Sequence, residues 1–168
     1  MDRGERLNRE FVARDPETVA RELLGHELMR DVEGETLRGR IVETEAYHGP
    51  SDPASHASSG RTERNEPMFG EPGRAYVYVS YGLHAMLNVV TGEEGEPSAV
   101  LIRAVEPLEG LEKMRENRGL EDKQALCSGP GKLTEAFEVS MEHNRTDLTE
   151  GDLRIEEGEA VEEVVEDT

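Results

Sequence analysis

Apolar and polar positions fall in short blocks along this chain, and their period changes from block to block. Val19, Ala20, Leu23 and Leu24 recur at helical spacing, with Asp15 as a favourable N-cap, Pro16 suited to the first helical position and Gly25 as a stop. A helix is predicted between them. Two strands follow, near Glu27–Arg30 and Thr36–Tyr47, joined by a polar turn at residues 31–35. Residues 48–74 form a long polar stretch rich in Gly, Pro and Ser, of the length that usually carries function or disorder. A second strand pair is expected near Arg74–Ser80 and Leu83–Val90, with Tyr81 and Gly82 at the bend. Val100–Val105 reads as a buried strand, and Glu109–Asn117 has helical character. A last helix is predicted after Ser128-Gly129-Pro130-Gly131, burying Leu133, Ala136 and Phe137. The pattern predicts an α+β fold in one domain over residues 1–168. Its strands are short and mostly antiparallel, with flanking helices and a protruding β-hairpin.

Composition narrows the function. No apolar run approaches the roughly 20 residues that a membrane span needs, and no signal-like segment opens the chain, so a cytoplasmic protein is expected. Cys127 is the single cysteine, which excludes an intrachain disulfide and a thiolate metal cluster. His26, His48, His56, His84 and His143 lack ligand spacing, so no metal and no cofactor are expected. The net charge is −19, from 38 acids against 19 Lys and Arg, of which only Lys113, Lys123 and Lys132 are lysines. The acidity is uneven. Residues 135–168, including an acidic tail from Asp147 with a strand-like Leu153-Arg154-Ile155, carry 13 acids and two arginines; residues 36–90 carry six acids and five arginines. Such a balance ordinarily argues against nucleic acid. Scarce lysine with abundant Asp and Glu equally fits a cytoplasm of molar salt, where the Debye length is roughly 3 Å and self-repulsion is screened.

The candidate chemistry lies in the nearly neutral region. On a regular strand Ile41, Glu43, Glu45 and Tyr47 would share one face, placing a carboxylate beside an aromatic ring in a half-apolar setting suited to activating water. Taken alone, Glu45 is equally a solvated strand carboxylate, and Glu43 a second acid or an arginine's partner. Tyr76, Tyr78 and Tyr81 are three of the chain's four tyrosines, in a protein without Trp. They suggest a stacking site, although aromatics in strands more often pack a core. Ser128-Gly129-Pro130-Gly131-Lys132 lacks phosphate-loop spacing and has Leu133 where Ser or Thr belongs, which excludes nucleotide hydrolysis.

Taken together, these segments resemble the alkyladenine (3-methyladenine) DNA glycosylases of the mammalian type. The matching pieces are Gly39–Tyr47, Gly49-Pro50, Ala54-Ser55-His56, Arg64-Asn65, Met68-Phe69, Gly73 to Gly82, Met86-Leu87-Asn88, Leu101–Pro107 and Leu126–Leu133, in family order from about residue 8 to 155. The resemblance implies a monomeric, nucleoid-associated enzyme of base excision repair that acts on duplex DNA containing a damaged purine. It would flip the nucleotide out and hydrolyse the N-glycosidic bond. Carried over by position, Glu45 would activate water and Arg103 would help place both. Tyr47, His56, Tyr78 and Asn88 would form the base pocket, and Tyr81 would be the wedge in the duplex. Arg40, Arg61, Arg64, Arg74 and Lys132 would face the DNA backbone. No lysine lies near the site in sequence, so a monofunctional glycosylase is expected.

The chain departs from the family pattern in three respects. Ser80 and His84 stand at hairpin positions that are often larger and apolar, the basic surface is thin, and a further strand with Arg-Ile-Gly and Pro-Trp-Arg-Phe-like segments is missing before Thr168. Two alternatives follow from the residues. One is a lesion-binding protein without catalysis; the other is a nucleoside or glycoside hydrolase using Glu43 and Glu45.

Overall fold

The computed structural model describes residues 5–48, 65–80, 84–159, 161 and 164–166. His56, Arg61, Arg64 and Tyr81 therefore lie outside the described residues. Helix α1 (Arg9–Val12) is a single turn, capped by the Asn8 side chain, which accepts from the Phe11 amide at 2.9 Å. Its four residues are too few to show a period, which is why the sequence pattern does not reveal it. Helix α2 (Pro16–Leu23) begins as expected, with the Asp15 carboxylate accepting from the amides of Glu17 and Thr18.

Strands β1 (Glu27–Val32) and β2 (Glu35–Tyr47) are joined by Glu33 and Gly34, both at positive φ, the geometry that matches the twist of a two-residue hairpin. Strands β3 (Ala75–Ser80) and β4 (His84–Val90) form the second hairpin. Strand β5 spans Ala99–Glu109, four residues beyond the expected end, and helix α3 (Leu111–Arg118) starts after Gly110. Gly110 sits at φ 80°, and a Cβ there would lie 2.5 Å from the Leu37 side chain, so the turn admits no larger residue. Helix α4 (Pro130–Ala136) and strand β6 (Leu153–Glu156) complete the described elements.

The six strands form one antiparallel sheet in the order β3-β4-β5-β2-β1-β6, which bears out the α+β reading. Part of the acidic C-terminal stretch is built into it. Leu153 and Ile155 enter the core, while the buried Arg154 guanidinium pairs with Asp31 at 2.7 Å and with Glu156 at 2.5 Å.

The sheet has two apolar faces. Ala75, Val77, Leu87, Val89, Val100 and Ile102 join α2 and α4 residues in the main core. Their alternate neighbours Tyr76, Val90 and Ala99 belong to a smaller cluster with Met68, against which Tyr47, Phe69 and Tyr78 pack. No described helix is long and apolar enough to cross a membrane.

His26 gives the fold a pH dependence. Its ring is buried, meets Phe11 edge-on at 5.4 Å, and its Nδ1 accepts from the Gly158 amide at 3.0 Å. Burial pulls its pKa below the ordinary 6.5, and burial acts on His143 in the same direction. Both rings must therefore stay neutral in the native state, whereas the unfolded chain takes up protons from about pH 6.5 downward. We predict that the urea midpoint falls as pH drops from 7 toward 5, and that His26→Gln flattens the drop without removing it. A midpoint independent of pH over this interval would contradict the assignment.

Candidate active site

Glu45 and Tyr47 reach the smaller aromatic face only because the β2–β5 pairing is irregular. Regular alternation from Leu37 and Ile41, both in the main core, would send Glu43, Glu45 and Tyr47 into that core as well. The register instead shifts between Ile41 and Glu43 and shifts back between Glu43 and Thr44, leaving Val42 and Arg103 outside the pairing. Beyond this step Ala46, not Tyr47, packs against the main core, and Thr44 Oγ1 donates to the Ala20 carbonyl of α2 at 2.7 Å. Strand β5 changes phase at the same level, with Val105 and Ile102 both in the main core. These are compensating bulges, one per strand. The expectation that Ile41 shares a face with Glu45 and Tyr47 is thus corrected: Ile41 lies in the main core and the other two do not.

The step brings two sequence-predicted residues into contact. Arg103 Nη1 donates to Glu45 Oε2 at 2.5 Å, and the Tyr47 hydroxyl donates to Glu45 Oε1 at 2.6 Å. Each carboxylate oxygen thus has one strong donor and keeps capacity for another. The Glu45 and Arg103 side chains are 38% and 42% exposed, so the pair is open to a ligand. Burial pushes the Tyr47 phenol pKa up, and its hydrogen bond to Glu45 pushes it further, so the hydroxyl stays protonated and donates.

Tyr47 also lines a small cleft with Met68, Tyr76, Tyr78 and Asn88. The Tyr76 and Tyr78 rings lie 5.4 Å apart, tilted by 42°. Asn88 is buried, and its amide nitrogen donates to the Tyr76 carbonyl at 3.2 Å and the Met86 carbonyl at 3.4 Å. Of the candidate pocket residues, Tyr47, Tyr78 and Asn88 are thus brought together. Met68 is a further wall to which the sequence pattern assigns no role, and Tyr76, which shares the strand parity of Tyr78 and the suggested stacking site, is another. Glu45 and Arg103 also front a groove of about 860 Å³ between α2 and β2. It is lined on its far side by Val164, Val165 and Glu166, and Glu166 pairs with Arg21.

The candidate cationic contacts are dispersed. Arg74 pairs with Glu71 at 3.3 Å and donates to the Arg145 carbonyl. Arg40 has a buried Nε without a hydrogen-bond partner. Lys132, in α4, makes no ion pair among the described residues. It is held near the hairpin end of β4, because Thr134 Oγ1 donates to the Ala85 carbonyl at 2.7 Å and a Cβ on Gly131 would meet the His84 ring at 2.7 Å. His84 thus packs on α4, which gives that departure from the family pattern a structural place. Cys127 is buried, which pushes its thiol up to about 12 and makes it an unreactive core residue. Among the described residues, no three His, Cys, Asp or Glu side chains converge on a metal position.

Comparison with known proteins converges on one family. The family model described as methylpurine-DNA glycosylase matches residues 10–168. Relatives bearing the name "Putative 3-methyladenine DNA glycosylase" include one from Carboxydothermus hydrogenoformans, 51% identical over 94% of this chain and 82% of its own length. Another, from Chlorobium phaeobacteroides, is 47% identical over 92% of this chain and 78% of its own. A third, from Methanoculleus marisnigri, is 52% identical over 86% and 74%.

The bulge can be tested without an activity assay. Deleting Val42 pulls Glu43–Tyr47 back by one position and drives Glu45 toward the main core. It should cost at least about 3 kcal/mol in urea unfolding, as burying an uncompensated charge does. Val42→Thr, at a 45% exposed position, should stay within about 0.5 kcal/mol of the parent. Equal stabilities for the two variants would refute the phase argument.

Proposed function

This chain belongs to the methylpurine-DNA glycosylase family, and from that premise we propose that it is a monofunctional 3-methyladenine DNA glycosylase of the mammalian type. Its substrate is duplex DNA carrying an alkylated or deaminated purine, which it flips out and releases. The observation that carries the proposal is the Glu45 carboxylate clamped between Arg103 and Tyr47 at the rim of an aromatic cleft.

In this reading Glu45 takes a proton from water as the water oxygen bonds to the sugar's anomeric carbon. The N-glycosidic bond breaks and its electron pair leaves with the purine. A cationic base such as 3-methyladenine departs neutral, so it needs less assistance. Arg103 holds Glu45 and the water in place. Tyr47 and Tyr78, with His56 from the segment outside the described residues, stack the flipped base; such stacking contributes about 1–3 kcal/mol per base and tolerates varied lesions. Asn88 presents a fixed amide that screens the base edge, and Tyr81 fills the gap in the duplex.

The phosphate contacts assigned to Arg40, Arg61, Arg64, Arg74 and Lys132 are few, and most other described arginines are already paired with carboxylates, including Arg9, Arg38, Arg118, Arg145 and Arg154. Binding therefore rests on intercalation and stacking more than on counterion release, which suits the acidic composition to high salt.

The test is release of free base from a duplex with one hypoxanthine. Glu45→Gln should slow it by about 10²–10⁴-fold, the usual contribution of a positioned general base. Release by Glu45→Gln at the parent rate would overturn the mechanism. Tyr81→Ser should weaken excision strongly, and the parent protein should keep or gain activity as KCl rises toward molar concentrations. An optimum confined to low salt would remove the high-salt reading.

A further inference from the structure

Tyr47 does two things at once in this geometry, and only one of them is stacking. It stands two residues after Glu45 on the same face of β2, beyond the bulge at Val42. Its ring packs against the Met68, Tyr76, Val90 and Ala99 cluster, which fixes the ring. Its hydroxyl then reaches Glu45 Oε1 at 2.6 Å, the length of a charge-assisted O–H···O⁻ bond. Arg103 holds only the other oxygen. With one donor the carboxylate swings about that contact; with two it is fixed in a plane.

We infer that Tyr47 is a positioning residue for the excision step: its hydroxyl, together with Arg103, sets the orientation of the Glu45 carboxylate that receives the water proton. This deepens the glycosylase reading of the same site and rests on it. No proton leaves Tyr47 in the reaction. Its pKa is displaced upward by burial and by Glu45, so the hydroxyl remains a donor across the working pH range. Loss of the hydroxyl leaves the carboxylate held at one oxygen only, so it acts on the rate of release and not on stacking of the base.

The experiment is single-turnover release of hypoxanthine from duplex DNA, comparing the parent protein, Tyr47→Phe, Tyr47→Leu and Glu45→Gln. Affinity is measured separately on a duplex whose lesion nucleotide carries a 2′-fluoro group and resists cleavage. Tyr47→Phe keeps the ring, so affinity should stay within about threefold, while release falls by about 10- to 100-fold, as expected for a lost hydrogen bond to a charged group. Tyr47→Leu, losing ring and hydroxyl, should lose affinity as well as rate.

A Tyr47→Phe protein with the parent rate, or one whose affinity falls as much as its rate, overturns the positioning role. If the parent protein releases no base, the glycosylase reading itself fails; if Glu45→Gln releases base normally, the role of Glu45 fails and the inference about Tyr47 with it. If Glu45→Gln is silent while Tyr47→Phe matches the parent, only the inference about Tyr47 fails.

Discussion

A strand that is buried on one face cannot place a charged pair on its other face unless the alternation of its side chains is set correctly, and here the regular alternation sets it wrongly. Leu37, Ile41 and Val105 belong to the main core. Continued without a break, their parity would carry Glu43, Glu45 and Arg103 into the same apolar layer, at a cost that no single ion pair offsets. The compensating irregularities at Val42 and Arg103 change the phase of both strands at one level and leave the register on either side unchanged. Everything chemical about the site depends on that step. It keeps Glu45, Tyr47 and Arg103 out of the main core and lets Tyr47 pack against the cluster of Met68 and Tyr76.

The electrostatics follow the same division. The described arginines outside the site are largely engaged with carboxylates at the surface, where each pair contributes little on its own. Arg103 is paired as well, but with a carboxylate whose second oxygen is already held by a phenol, and both charged partners remain about two-fifths exposed. An exposed surface pair is worth little to stability; one aimed beside an aromatic cleft has its value in orientation. That is why the Glu45–Arg103 pair is better understood through what it points at than through what it holds together.

Much of this was legible in the sequence, and the exceptions have physical causes. Helix α2 was readable from its cap and stripe, the β3–β4 hairpin from its alternating tyrosines, and α4 from Pro130 and its buried face, because those signals are local. The α+β architecture followed from the short strand-like blocks and their turns. Helix α1 was invisible at four residues. The extension of β5 to Glu109 was missed because Pro107 interrupts the apolar run and Glu109 was read into the helix that follows, while Gly110 is the residue that ends the strand. The pairing of Glu45 with Arg103, 58 positions apart, was not derivable from local pattern and came only as an expectation from family resemblance. The bulge misled the reading of Ile41, since a period of two offers no warning of where it will slip.

The most direct test of the account is a crystal structure of the protein on a duplex bearing a cationic pyrrolidine abasic nucleotide, which stands in for the sugar as the glycosidic bond breaks. The pyrrolidine ring should lie beside Glu45, with a water held between them by the carboxylate and Arg103, and Tyr47 facing the space vacated by the base. A nucleotide left stacked in the duplex, or one seated away from Glu45, would contradict it.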